Sequence, residues 1–161
     1  MEFKDSMRKG IILKVGKTGA EDTMAAELEN TACFVQDTFD FNYNEGERTE
    51  KRCESGDVII SNVSNGDLII TGELNGLEDS SKFWEMDGDK VVSLVTDDFM
   101  SVEIAPELDG ATGIKAPKCG ISAGVAYQTA NGWRIPIEIR IFKTKGDKGY
   151  FFQFFTVGSE A

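Results

Sequence analysis

The sequence contains no histidine, and this absence removes much of the common catalytic repertoire. Imidazole is the most frequent general base, a frequent metal ligand and the central member of serine and cysteine triads. A chain without histidine cannot perform those reactions by the usual route. No other residue or spacing indicates a catalytic centre, so we expect neither an enzyme nor a cofactor.

Cysteine is scarce as well: Cys33, Cys53 and Cys119 are widely separated and odd in number. There is no Cys-x-x-Cys pair, which excludes the usual zinc knuckle and dithiol redox centre. We expect free thiols, buried or half-buried. The acidic pairs Asp87-Gly-Asp89 and Asp97-Asp98 complete no calcium loop, and we interpret them as turn residues without a metal.

The chain also lacks long hydrophobic runs. No apolar stretch approaches the roughly 20 residues that a membrane-spanning helix needs. The start, Met1-Glu-Phe-Lys-Asp, has no basic-then-apolar order typical of a secretory signal. We therefore expect synthesis in the cytoplasm and no membrane partner. The length favours one domain over residues 11–157, preceded by an N-terminal arm at 1–10.

The chain has few positive charges: it contains 17 basic and 28 acidic residues, and its net charge is −11. Electrostatic attachment to a nucleic-acid backbone needs an excess of lysine and arginine, so simple DNA binding is not expected. The acids concentrate in residues 20–57 and 73–109, and bases concentrate in 1–19 and 134–148. This uneven distribution of charge along the chain indicates either complementary patches for self-association or an acidic surface that aids solubility.

The clearest pattern lies near the end of the chain. Between residues 133 and 142 every second residue is isoleucine, with charged residues and one proline between them, as on a strand with one buried face. Glu138 shares its face with Arg134 and Arg140, which favours a charged ladder over a glycosidase acid. Residues 150–157 are apolar on both faces, typical of a covered central strand. With the glycine-containing stretch 143–149 between them, the two segments predict a β-hairpin.

The remaining segments predict an all-β fold, a β-sandwich or barrel of about nine strands with one short flanking α-helix. The helix is expected between Leu77 and Met86. A loop is expected at 107–118, and 20–30 forms either a short helix or a loop with a helical turn. Further expectations are strands at 11–15, 90–95, 99–104 and 120–128, a polar hairpin of 33–43 with 48–53 turning at 44–47, and a hairpin of 57–63 with 67–74 turning at Ser64-Asn65-Gly66.

This order of parts resembles the tail tube, or major tail, proteins of long-tailed bacteriophages. The resemblance runs from Ile11 to Val157 and includes Gly72-Glu73-Leu74 leading into the expected helix around Phe83-Trp84. It implies a virion protein whose homohexameric rings stack into a tube. It also implies tape-measure and terminator or tip proteins as partners, and viral DNA that passes without specific binding.

An acidic inner wall would repel phosphate, and unpaired strand edges would join neighbouring copies. By analogy, we expect the polar face of the hairpin around residue 40 to line the lumen, and the N-terminal arm and the 107–118 loop to form contacts between rings. The expected lumen residues are Gln36, Thr38, Asp40, Asn42, Glu45, Glu47 and Glu50.

Two alternatives remain open from the sequence. A cytosolic ligand-binding β-barrel would stay monomeric and contain an apolar cavity. The tube protein of a related contractile injection or secretion system would form hexamers like a phage tube, so the residues alone do not separate the two.

Overall fold

The computed structural model describes most of the chain. The described residues are 10–30, 34–35, 37–63, 66–77, 82–95, 98–130, 132–146 and 148–158; side chains are not described for Arg48 and 59–63. Within this part, the secondary structure is almost entirely β, as predicted. No described helix is long and apolar enough to cross a bilayer.

The described part contains thirteen strands. They are β1 (Ile11–Lys17), β2 (Glu29–Asn30), β3 (Asp40–Asn44), β4 (Arg48–Arg52), β5 (Val58–Val63), β6 (Asp67–Asn75), β7 (Glu85–Asp87), β8 (Lys90–Ser93), β9 (Met100–Pro106), β10 (Thr112–Ala123), β11 (Ala126–Gln128), β12 (Gly132–Ile141) and β13 (Gln153–Thr156).

Nine of these strands form one antiparallel sheet in the order β2-β1-β9-β10-β12-β6-β3, with β11 added to β12 and β13 added to β10. The long strand β10 is the axis of the sheet. One edge of β10 pairs with β9, whereas the other pairs first with β13 and then with β12. This large antiparallel sheet confirms the predicted all-β fold class.

The two ends of this sheet lie close together because one stretch of chain connects them. Asn30 pairs with β1, and four residues later Phe34 pairs with Leu74 of β6. Four residues span at most about 14 Å. Six spacings of a flat sheet, from β2 to the position of β3, would span about 29 Å. The sheet must therefore curl around its core, as in a barrel.

The core forms where the alternating pattern predicted it. All four isoleucines of β12 are buried, namely Ile135, Ile137, Ile139 and Ile141. They share one hydrophobic cluster with side chains of β1, β6, β9 and β10. The period of two was therefore a correct guide to the buried face of this strand.

Proline sits where the ladders are interrupted. Pro117 occupies a bulge at which β10 gains one residue relative to β9, between Ala116 and Cys119. Pro136 lies opposite the corner between β10 and β11, and its carbonyl accepts a hydrogen bond from Gly124 N–H at 2.8 Å. Because proline cannot donate to a ladder, both positions suit it.

The predicted hairpin of 133–142 with 150–157 is wrong in its pairing. Both segments contain strands, but β12 and β13 do not pair with each other; both pair with β10. The segment between β12 and β13 is held by other backbone hydrogen bonds: Phe142 N–H donates to Lys118 O, and Thr144 N–H donates to Tyr150 O. Only 153–156 is a strand, and it lacks the covered central position that its aromatic residues indicated.

The flanking helix expected between Leu77 and Met86 is also wrong within the described residues. Lys82 has 3₁₀ conformation, Phe83 and Trp84 form a turn and a bend, and Glu85 to Asp87 pair with β8, so no described residue of this range is α-helical; residues 78–81 lie outside the described part. Phe83 and Trp84 are nevertheless buried against the core. Trp84 Nε1–H donates to Ala123 O at 2.6 Å, so this bond and the apolar contacts hold Phe83 and Trp84 against the sheet.

Two loop predictions have different outcomes. The loop expected at 107–118 is wrong over its second half, because β10 begins at Thr112 and its pairing with β9 and β13 overrides the local glycine and proline signals. Over 20–30 the loop alternative is confirmed: a single 3₁₀ turn occupies Ala20–Asp22, and the remainder is irregular apart from β2. The expected N-terminal arm lies outside the described residues up to residue 9.

Candidate functional site

Strands β3 to β6 form one long two-stranded ribbon. Asn44 pairs with Asp67 in the β3–β6 ladder, and Arg48 pairs with Val63 in the β4–β5 ladder. From Asn44 to Arg48 the chain advances by four residues, and from Asp67 to Val63 the facing chain retreats by four, so the register is the same on both sides of the strandless residues 45–47. The turn predicted at 44–47 is therefore wrong. The hairpin predicted for 57–63 with 67–74 is wrong in its pairing, because β5 pairs with β4 and β6 pairs with β3 and β12; Ser64 and Asn65 of its predicted turn lie outside the described residues.

The reversal lies at residues 53–57 instead. Cys53 N–H donates to Asp57 O, and Gly56 N–H donates to Cys53 O, both at 2.9 Å. Gly56 has φ of +92°, a conformation that side chains rarely adopt. Gly66, by contrast, serves close packing: a Cβ there would lie 1.6 Å from Asn44 O on the facing strand. The glycine of the local Asn-Gly signal is therefore explained by its close approach to the facing backbone.

The distal half of the ribbon, residues 48–63, is called the arm from here on. Among the described residues, β4 and β5 pair only with each other. Residues 49–58 are all exposed, and five ladder residues extend the ribbon by about 17 Å. A lone two-stranded hairpin is marginally stable in water. The arm is thus a candidate for a contact with another molecule.

The proximal half of the ribbon contributes to a polar face of the sheet. Thr71 pairs with Asp40 on one side and Glu138 on the other, and Glu138 in turn pairs with Ser122. Directly paired residues of antiparallel strands project from the same face. Asp40, Thr71 and Ser122 are exposed, so this row forms a wet surface across β3, β6, β12 and β10.

The predicted lumen residues are divided by this arrangement. Asp40 and Asn42 share the polar face, and Asn42 Nδ2 donates to Asp40 Oδ2 at 2.7 Å. Thr38 instead supports the fold, donating its hydroxyl to Val35 O and accepting from Glu73 N–H. The other predicted residues lie elsewhere: Glu45 and Glu47 are exposed in the connection to the arm, Glu50 lies in the arm 2.9 Å from Arg52, and Gln36 lies outside the described residues.

Sequence reasoning missed the acids that β6 adds to the polar face. Glu73 Oε2 lies 2.6 Å from Arg134 Nη1, and Asp67 Oδ2 lies 3.8 Å from Arg140 Nη1. Arg140 is also 3.8 Å from Glu138, which confirms one half of the predicted charged ladder. The β6 acids could be found only by knowing that β6 lies between β3 and β12, which the local pattern does not reveal.

The described cysteines have different environments. Cys53 is exposed at the tip of the arm, whereas Cys119 is buried in the core. Burial raises the pKa of the Cys119 thiol from 9.0 to about 12, because the thiolate would lose its hydration. Cys33 lies outside the described residues. Among the described residues, no cluster of three or more potential ligands could hold a metal ion.

A groove of about 270 Å³ lies on the outside of the sheet, over β1, β9, β10 and β13. Its lining includes Lys14, Glu103, Glu107, Lys115 and Phe155. Lys115 Nζ lies 4.8 Å from the centre of the Phe155 ring. With four charged residues in its wall, the groove differs from the enclosed apolar cavity that a ligand-binding barrel would have.

Comparison with protein-family models and with curated proteins gave no match. Among solved structures, the chain is similar to the PVC sheath/tube terminator of an extracellular contractile injection system in its extended state. The TM-score is 0.48 and the identity 12%, over 94% of this chain and 98% of that one. A likeness of this size concerns the outline of the fold and assigns no role to any residue.

Proposed function

We propose that the chain is the subunit of a tail-type tube, in which six copies form a ring and stacked rings enclose a channel for DNA. The function is structural, without catalysis or a cofactor. A phage tail tube is the preferred form of the proposal. A tube of a related contractile injection system has the same construction, and a tape-measure gene beside the coding sequence would favour the phage.

The observation that carries this proposal is the arm. Its ladder continues the β3–β6 ladder of the sheet, yet it has no second strand neighbour among the described residues. Burial against another copy would stabilise such a hairpin, and the open edge of β3 beside it is a further site for pairing between chains. Self-assembly would bury the exposed arm and pair the open edge of β3.

The polar face supplies a wall for the channel. Asp40 and Asn42 are exposed on this face, and Asp67 and Glu138 add carboxylates from neighbouring strands. Repeated sixfold around a channel, these acids produce a negative potential that repels phosphate. DNA would then slide along the wall instead of binding to it.

Electron microscopy of the purified protein tests the assembly. We expect sixfold rings and stacked tubes in negative stain, with material much heavier than the 17.7 kDa chain in sedimentation. Closed rings that never stack would support a terminator instead. A monomer at every concentration, binding a small molecule, would contradict the proposal and favour the ligand-binding barrel.

Charge reversal tests the channel wall. In Asp40→Lys/Asp67→Lys tubes, we expect short duplex DNA to co-sediment at low salt and to be released as salt rises, because the wall now attracts phosphate. Glu21→Lys/Glu27→Lys changes the net charge equally at exposed positions outside the ribbon. Equal DNA retention by both variants would contradict the assignment of this face to the channel.

A further inference from the structure

Two surface patches of opposite charge project from the fold next to different positions along β10. The first, called the basic loop, spans residues 143–149 within the connection between β12 and β13. Its lysines Lys143, Lys145 and Lys148 are exposed. The second, called the acidic turn, spans residues 85–90 of the β7–β8 hairpin, where Glu85, Asp87 and Asp89 are exposed.

The basic loop is held in one conformation by hydrogen bonds. Lys145 N–H donates to Asp22 Oδ2 at 3.0 Å, and Tyr150 N–H donates to Thr144 Oγ1 at 3.0 Å. Gly149 N–H donates to Gly146 O at 3.1 Å. A loop ordered in this way loses little conformational entropy on binding, so its lysines are presented for a contact.

The acidic turn is anchored in a comparable way. Trp84, immediately before it, is buried and bonded to Ala123 O, and Val95, shortly after it, pairs with Ser122. Gly88 provides the positive φ that the reversal needs, +63°. The turn therefore projects three carboxylates from a fixed base at the end of β10.

Both patches contain exposed apolar side chains beside their charges. Phe142 and Tyr150 flank the basic loop, and Val91, Val92 and Leu94 follow the acidic turn. Protein interfaces commonly have an apolar centre and a charged rim. Each patch therefore has the composition of one side of an interface, with opposite charge at its rim.

Each patch keeps its net charge when its one opposite residue is counted, Lys90 in the acidic turn and Asp147 in the basic loop. In the part of the chain that the structure describes, the side chains of Glu85, Asp87 and Asp89 form no ion pair, and the same holds for Lys143, Lys145 and Lys148. The segment before the basic loop is hydrogen-bonded to β10 at Lys118, and the segment after the acidic turn pairs with β10 at Ser122 and Ala123. A second molecule can satisfy both sets.

We propose that the basic loop of one copy docks on the acidic turn of a second copy. The inference rests on the proposed self-assembly and names the contact that directs it. Because two different patches meet, the contact is heterologous: repetition closes a ring or extends a filament. The opposite charges also set the orientation in which copies meet.

Charge-reversal variants with a built-in control test this contact. Lys145→Glu/Lys148→Glu lowers the net charge by four, from −11 to −15, and Asp87→Lys/Asp89→Lys raises it by four, to −7. We expect each variant to need about tenfold more protein, or more, to assemble in sedimentation. The variant with all four substitutions retains −11, and we expect it to assemble like the original protein.

Mixing provides the decisive readout. The first variant keeps an intact turn and the second an intact loop, so an equimolar mixture of the two should assemble where neither does alone. Lys17→Glu and Glu27→Lys, exposed charges elsewhere, should have little effect. Assembly of both reversal variants at the original concentration would overturn this inference alone, whereas an unmodified protein that never assembles would overturn the proposed function with it.

Discussion

Strands β12 and β4 are both regular, yet they are held in place by different forces. β12 buries an isoleucine at every second position and has strand partners on both edges. β4 consists of Arg-Thr-Glu-Lys-Arg, has one partner, and is exposed along its described length. The nine-stranded sheet, called the body from here on, therefore has its own core. The arm depends on its connection to that sheet and, in our proposal, on contact with another copy.

The two described cysteines provide the widest contrast between body and arm. Raising the pKa of Cys119 from 9.0 to about 12 lowers its thiolate fraction about a thousandfold near pH 8, and burial also blocks access. In a Cys33→Ser background, we expect iodoacetamide to label Cys53 at least a thousand times faster than Cys119. Mass spectrometry of the native protein measures this, and comparable rates would mean that the core opens.

The raised pKa also predicts a pH dependence. The folded state keeps the Cys119 proton that the unfolded state releases above pH 9, so this group's contribution to stability is complete below pH 9 and is lost between pH 9 and about 12. Cys119→Ala should reduce that part of the decline in urea unfolding at alkaline pH. An unchanged decline would assign the alkaline loss to other groups.

Truncation in the core should have the largest effect on stability. Ile139 is fully buried and lies between β6 and β10. We expect Ile139→Ala to lower the free energy of unfolding by about 3 kcal/mol, through lost burial and a cavity. Urea unfolding followed by circular dichroism measures this. A loss below about 1 kcal/mol would show that β12 is not a principal support of the fold.

The Asp22–Lys118 pair should have an intermediate effect. Its side chains are only 12% and 15% exposed, and Asp22 Oδ2 also accepts from Lys145 N–H. We expect Asp22→Ala to cost about 1–2 kcal/mol, since it leaves a half-buried lysine and an amide without their partner. Asp22→Asn, which retains an acceptor, should cost less; equal losses would indicate a backbone effect at this positive-φ residue.

Surface charges in the arm should matter least to folding. Lys51 is exposed, and Arg52 and Glu50 form an ion pair whose side chains are 55% and 31% exposed. We expect Lys51→Ala and Glu50→Gln each to change the free energy of unfolding by less than about 0.5 kcal/mol. Urea unfolding again measures this, and a larger loss would mean that the arm contributes to the body.

The same contrast explains how far the sequence could predict this fold. The burial of β12 follows from a local period, so four isoleucines were enough to identify its inner face. The partners of a strand depend on distant segments: nothing local indicates that β12 and β13 share β10. Turn signals failed where glycine serves another purpose, since Gly66 lies against the facing backbone at Asn44 and the reversal falls at Gly56.

The candidate site was predictable to a similar extent. Alternation placed Asp40 and Asn42 on one polar face, and the structure agrees. The contributions of Asp67 and Glu73 depend on the position of β6, and Thr38 uses its hydroxyl within the fold. Local patterns thus identified which residues face water, whereas the surface they form together required the order of strands.

Removal of the arm tests the account most directly. In a variant with residues 48–63 replaced by a two-residue turn, the chain would reverse a few residues beyond the end of the β3–β6 ladder. Sedimentation at matched concentrations, with a thermal melt on each sample, compares it with the complete chain. We predict rings and tubes for the complete chain and a folded monomer for the variant. Tubes formed equally well without the arm would contradict the central claim.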